Sequence, residues 1–232
     1  MSREVEDVRQ RETLKALTSF LRRAPSFKPQ KYLDLGCGDG AFTLRVAEAL
    51  NASEVYGVDI ASKAVAQAEV KGIKTYAIDL NINRLPFADG EFDVITAFEL
   101  VEHLWNTDYV ISEAYRVLKK GSFFILTTPN LASWVNRLLL LFGYLPVHYG
   151  CSLKYDLEKR PLQSATGPCE HIRLYTFKTL RKHLETYGFK VIYSTSYPMG
   201  YVSSYFVVKM LNRILSIRKN LGAGIFFVAV KE

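Results

Sequence analysis

The sequence has little cysteine: three residues, Cys37, Cys151 and Cys169, an odd number with no C-x-x-C pair. That count excludes a disulfide framework and a structural zinc knuckle, and it fits a reducing, cytoplasmic setting. Long apolar runs are also missing. No stretch approaches the roughly 18–20 apolar residues that a membrane span requires, and the N-terminus carries charge in place of an apolar signal core. A soluble chain is expected, with peripheral contact to a membrane left open. Internal repeats and low-complexity tracts are absent too, so no repeat architecture is expected.

What is there is ordinary globular material, with 49% hydrophobic and 23% charged residues in 232 positions. This is enough for one α/β domain, 1–232, carrying an insertion. The net charge of +7 and pI near 9.2 suit anionic partners. The basic residues are spread, however, over the N-terminal stretch (Arg3, Arg9, Arg11, Lys15, Arg22, Arg23), the middle (Lys154, Lys159, Arg160) and the last third (Arg213, Arg218, Lys219). That scatter reads as a solvated basic surface as readily as a binding face.

Residues 3–23 read as an amphipathic helix with Leu14, Leu17 and Leu21 on its apolar stripe, ended near Ala24-Pro25 because the residue before proline avoids helical geometry. Strand-like segments follow at 31–35, 54–59, 74–79, 92–98, 122–127, 189–195 and 225–230. Helical periodicity occupies 41–50, 62–71, 108–119, a stretch from Thr176 to a C-terminal Gly188, and a basic segment within 201–219. Strands separated by helix-length crossovers imply an α/β, Rossmann-like, mostly parallel sheet covered by helices on both faces. In such sheets ligands bind outside the carboxyl ends of the strands.

The first strand runs into Asp34-Leu35-Gly36-Cys37-Gly38-Asp39-Gly40, and a helix opens directly after it. Glycines there let backbone groups approach a ligand with no Cβ in the way. Asp59, 19 residues beyond Gly40, ends the second strand, where a carboxylate can accept from both hydroxyls of a ribose. Asp79 ends the third, beside the expected position of a base. Gly36-x-Gly38-x-x-Ala41 also satisfies a looser dinucleotide fingerprint. Asp34 argues against it: an acid here would repel a pyrophosphate and attract the cationic methionyl part of S-adenosylmethionine.

These motifs, with VDI at 58–60, DLN at 79–81, LPFADGEFDVI at 85–95, LKKGS at 118–122 and the late strand IFFVAVK, make the chain resemble the class I methyltransferases. The resemblance implies a seven-stranded sheet whose last strand is antiparallel, with S-adenosylmethionine as methyl donor. It also implies that Leu80 gives the backbone contact to adenine. Cys37, Gly40, Ile60 and Phe98 complete the expected donor-binding set.

After the fourth strand comes Glu99-Leu-Val-Glu102-His103. If this is helical, Glu99, Glu102 and His103 share a face at i, i+3 and i+4. Two carboxylates and an imidazole suit a divalent ion, or supply a general base without one. Equally, Glu99 could line a sulfonium pocket and His103 could be structural. The stretch is similar to the E-x-x-E-H motif of two methyltransferase groups, the ubiquinone-biosynthesis O-methyltransferases and the enzymes that methylate the terminal 2′-hydroxyl of small RNAs. That likeness implies a metal on Glu99, Glu102 and His103, with His171 as a further ligand. His148 and His183 read as peripheral.

Between about 131 and 170 the strand–helix rhythm breaks, and this stretch reads as a lid-like insertion. Residues 131–149 are nearly apolar all round, with Trp134, Leu138 to Phe142 and Tyr144, while 150–170 turns polar and basic. Such a helix could cover an apolar acceptor, rest on an anionic membrane, or pack as core against the sheet. The ubiquinone-pathway resemblance implies an oxygen of a small apolar or lipid-linked acceptor. RNA is the other partner considered, with Tyr144, Tyr149, Tyr155 and Tyr175 available for stacking.

Overall fold

The computed structural model describes residues 3–152, 154, 155, 157, 158, 171–198 and 206–232. Much of the expected polar half of the insertion, with Lys159, Arg160 and Cys169, therefore lies outside the described residues. So do 201–205 of the basic segment.

Strands β1 (Lys31–Leu35), β2 (Glu54–Asp59), β3 (Lys74–Ala77), β4 (Phe92–Phe98) and β5 (Leu118–Pro129) alternate with α2 (Ala41–Leu50), α3 (Ser62–Val70) and α4 (Thr107–Val117). Helix α1 (Arg3–Leu21) precedes them. Helices α5 (Trp134–Leu141) and α6 (Phe177–Thr186), strand β6 (Phe189–Tyr197), helix α7 (Phe206–Leu215) and strand β7 (Gly224–Lys231) complete the order. One sheet runs β3-β2-β1-β4-β5-β7-β6. The pairs among β1 to β5 are parallel, whereas β7 is antiparallel to both β5 and β6. The expected seven-stranded sheet with its antiparallel last strand is present.

The central strands are apolar on both faces, as strands roofed twice by helices must be. Adjacent residues therefore serve different cores. Leu33, Ile95, Leu126 and Phe227 face α4 and α6 through Val110, Ile111 and Leu180. Tyr32, Val94, Ile125 and Phe226 face α1, α2 and α5 through Leu17, Phe20, Val46, Trp134 and Leu139.

Two boundaries near the site differ from the sequence reading, and so does the buried face of α1. β3 stops at Ala77, so Asp79 lies just past the strand. β5 begins at Leu118, taking up LKKGS, because Phe92 pairs with Leu118 before an irregularity in the ladder. The buried face of α1 is Thr13, Ala16, Leu17 and Phe20, while Leu14 and Leu21 are only partly covered.

In α5 the N-terminal half is core: Trp134, Val135, Asn136 and Leu139 are buried. Its far end is not, with Leu141 and Phe142 more than 70% exposed. Among the described residues no helix is long and apolar enough to cross a membrane.

Strand order reverses between β1 and β4, and both neighbours of that gap continue outward from it. A crevice opens there beyond the carboxyl ends of the strands, the usual ligand position in open α/β sheets. The glycine turn leaves β1 on one side of the crevice, and Glu99 leaves β4 on the other.

Candidate active site

The glycine turn is tied to the neighbouring strand before any ligand arrives. The amides of Gly36 and Cys37 both donate to the Val58 carbonyl, at 2.8 and 3.0 Å. Gly38 (φ 52°) has open space where a Cβ would stand, whereas at Gly40 (φ 78°) a Cβ would lie 2.5 Å from Ile73 and 2.9 Å from Ala68. One glycine leaves room above the turn, and the other lets the turn before α2 sit close against the end of α3.

The acids of the three strand ends take up different roles. Asp34 is buried beneath the turn, accepting from Thr43 Oγ1 at 2.6 Å and Thr96 Oγ1 at 2.5 Å. Burial pushes its carboxyl up to about 6, against those two hydrogen bonds, which favour the ionised form. Asp34 therefore braces β1 against α2 and β4 from below, with both oxygens engaged, and direct charge attraction on a ligand is not what this geometry offers. Asp59 accepts from the Gly38 amide with Oδ2 and from the Ala61 amide with Oδ1, each at 2.9 Å. Ile60 beside it is 67% exposed.

Asp79 accepts from the amide and side chain of Asn81 at 2.9 and 3.0 Å. Asn81 in turn accepts from the amides of Trp105 and Asn106. The loop holding Asp79 and the buried Leu80 is thus fastened to the start of α4.

A cavity of about 540 Å³ opens over the turn, lined by Gly36, Cys37, Gly38 and Asp39, by Phe42 of α2, by Phe98, Glu99 and His103, and by Arg9, Gln10 and Thr13 of α1. Of the expected donor-binding residues, Gly36, Cys37, Gly38 and Phe98 line it; Asp34, Gly40, Asp59, Ile60, Asp79 and Leu80 do not. Cys37 is no nucleophile here, since burial, then the charges of Asp34 and Asp59, push its thiol up to about 12.

The α1 residues were not singled out from the sequence, yet a signal existed: Arg9 sits four residues before Thr13, on the helix face that goes on to Leu17 and Phe20. It is 6% exposed, and its Nη1 lies 3.0 Å from Glu99 Oε2. Tyr197, also buried, donates to Glu99 Oε1 at 3.3 Å.

Residues 99–103 are not one α-helix. Glu99 has φ 50°, its amide donating to the carbonyl and hydroxyl of Thr127, and only Val101–His103 form a single 3-10 turn. The shared helical face of Glu99, Glu102 and His103 is therefore absent. Glu99 turns toward Arg9 and the cavity. Glu102, 1% exposed, turns inward, where Thr128 Oγ1 donates to its Oε2 at 2.9 Å.

Two amide bonds, from Ile172 and Arg173 to the Glu102 carbonyl, draw the segment after the insertion alongside. They place His171 edge-on to His103, with ring centres 4.6 Å apart. Ligating atoms of Glu102, His103 and His171 lie within 4.8 Å of one another, a little beyond the ~4.2 Å maximum for two ligands sharing an ion at about 2.1 Å, so small side-chain rotations would bring them onto one ion. Glu102 Oε1 and His171 Nδ1 are both shut off from solvent with no hydrogen-bond partner.

Burial, then the Glu99 charge, push the Glu102 carboxyl well above its usual range. Burial, then the positive potential of His103 and Arg9, lowers His171 to about 3, so this imidazole is neutral near pH 7 and can ligate. The donor set fits a divalent ion held by Glu102, His103 and His171, without Glu99. His148 is not peripheral as expected, for its ring stacks on His171 at 5.3 Å. His183 is remote from the cavity, bonded to Asp108 and Tyr175 at the surface.

Residues 33–126 match the family model described as a methyltransferase domain. A probable S-adenosylmethionine-dependent methyltransferase of Mycolicibacterium smegmatis is 34% identical over 42% of this chain and 37% of its own. A ubiquinone biosynthesis O-methyltransferase of Bordetella pertussis is 26% identical over 62% of each. The chain spans less than two thirds of the length of these curated relatives. Among solved structures, a SAM-dependent methyltransferase of Thermotoga maritima has a TM-score of 0.63 at 16% identity, over 98% of this chain and 91% of that one. Strand order, glycine turn and family match agree, and over residues 33–126 the chain is similar to the S-adenosylmethionine-dependent methyltransferases.

Proposed function

We propose that the protein moves the methyl group of S-adenosylmethionine to an oxygen of a small apolar or lipid-linked acceptor. The observation that carries this reading is the meeting, at one crevice, of the cavity over the glycine turn and the polar group Glu102, His103 and His171. The donor's methionyl part is a zwitterion. Arg9 and Glu99, paired side by side in the cavity wall, match its carboxylate and ammonium respectively. Asp59 reaches the ribose, and Leu80 with Asp79 the adenine. The O-methyltransferase among the relatives supports an oxygen acceptor.

Methyl transfer asks for position and for removal of a proton. The acceptor oxygen forms a bond to the methyl carbon as the carbon–sulfur bond breaks, and that electron pair returns to sulfur, leaving S-adenosylhomocysteine. His103 lines the cavity and is exposed to it, so it is the residue placed to take the hydroxyl proton. With a divalent ion on Glu102, His103 and His171, the His103 lone pair would be committed to the ion, which would lower the hydroxyl's pKa so that the proton passes to solvent instead of to this ring. The expected peripheral membrane contact would fall to the exposed end of α5, at Leu141 and Phe142.

A second reading, methylation of an RNA 2′-hydroxyl, is favoured by one observation: His171 does join Glu102 and His103. The test for both is donor binding by calorimetry, followed by methyl transfer from labelled donor into lipid, quinol and RNA extracts, with and without chelator. Label in the lipid or quinol fraction supports the first reading, and label in RNA the second. Failure to bind donor, or unchanged binding in Asp59→Ala, would overturn both.

A further inference from the structure

The outer surface of α1 carries a feature that methyl transfer does not use. Arg11, Lys15, Thr18 and Arg22 succeed one another at intervals of four, three and four residues, so all lie on one face of the helix. All four are exposed. Arg45 of α2 faces them across a groove of about 460 Å³, floored by the partly covered Leu14. At 1.5 Å per residue the cationic row extends about 16 Å. Its upper end adjoins Gln10, which lines the donor cavity and accepts from Arg45 Nη1 at 3.0 Å. Within the row Lys15 is paired with the neighbouring Glu12.

We infer that this groove is a docking site for the phosphodiester backbone of single-stranded nucleic acid. A concave channel with cations on both walls tracks a charged strand, the arrangement by which such chains are bound without regard to sequence. The lining has a hydroxyl at Thr18 to add a phosphate contact and no aromatic ring to stack a base, so the backbone is what it recognises. A lipid surface fits less well. Membrane-resting faces present apolar side chains outward, and the exposed apolar residues of α5 and α7 are on other helices. The inference concerns docking and holds whichever acceptor is methylated.

The test is fluorescence anisotropy of the full chain with a labelled 15-nucleotide single-stranded RNA of mixed sequence, over a salt series. With three or four phosphates neutralised, the slope of log affinity on log salt should be about −2 to −3. The variant R11E/K15E/R22E changes only exposed positions outside the cavity. It should bind the RNA at least tenfold more weakly while its melting temperature falls by no more than the few degrees expected from exposed ion pairs and its donor affinity stays within about twofold of wild type. Thr18→Ala, a milder change, should weaken binding about twofold. No measurable RNA binding, a slope near zero, or equal binding by the triple variant would each overturn the inference. So would loss of vesicle binding in the triple variant, with phosphatidylglycerol vesicles bound by the wild type and RNA not.

Discussion

At the scale of single residues, the two glutamates of the E-x-x-E-H stretch separate into different jobs, and substitution should tell them apart. Glu102→Gln removes the carboxyl group proposed to hold a divalent ion. Manganese affinity, measured by calorimetry, should fall more than about 100-fold, beyond the 10–100-fold loss typical of outer-shell changes, with donor binding retained. Glu99→Gln should do the reverse, weakening the donor by about tenfold or more and leaving manganese within a few-fold. Arg9 then loses its buried partner, and breaking a buried ion pair costs about 3–5 kcal/mol, so the variant should also melt at lower temperature.

Asp34 gives a pH signature. Its carboxyl holds its proton to about pH 6 in the native state, against an ordinary value of 3.8. Between those values the native state binds more protons than the unfolded chain, so stability contributed by this group is complete below about 4 and lost as pH rises to about 6. The shift corresponds to about 3 kcal/mol across that window. Urea denaturation of Asp34→Asn should lack this decline while the wild type shows it.

At the scale of elements, the close approach of the turn before α2 to Ala68 of α3 and to Ile73 depends on Gly40. An alanine there meets Ile73 and Ala68 and is held at positive φ, so Gly40→Ala should destabilise by about 2–4 kcal/mol in denaturant titration. Gly38→Ala, with open space before it, should lose little more than the φ penalty of about 1–2 kcal/mol while obstructing the donor. The legibility of the chain followed the same division. Strands and helices whose residues repeat with one clear period, β1, β2, β4, α2 and α6, were readable, because burial on a face imposes that period. The 99–103 stretch was not. Its spacing matched a helical face, but Thr127 holds the Glu99 amide and sends the chain into a 3-10 turn, a tertiary cause that no local pattern records. Likewise Asp34 was read as a charge facing the donor, while its burial under Thr43 and Thr96 depended on how β1, β4 and α2 pack.

At the scale of the whole molecule, the site is assembled from the two ends of the sequence order as well as its middle. The glycine turn and Glu99 belong to the matched region 33–126. Arg9 and Thr13 come from before it, and His171 and Tyr197 from after it. Motif reading finds the middle part, since its residues are close in sequence. The outer parts arrive only through folding.

The docking of α1 across the cavity has a thermodynamic consequence of its own. A donor that touches Arg9, Gln10 and Thr13 binds only molecules whose first helix is seated, so the donor and the seated helix must stabilise each other by the same free energy. At a hundredfold excess over its dissociation constant, the donor should slow exchange of the Arg9 to Leu17 amides by up to about 100-fold, equivalent to ~2.7 kcal/mol. Exchange in β7, governed by opening of the sheet, should respond less wherever helix undocking is the lower-energy event. Reciprocally, a partner that grips α1 and Arg45 of α2 together, and so binds only the seated helix, will tighten donor binding without touching the donor.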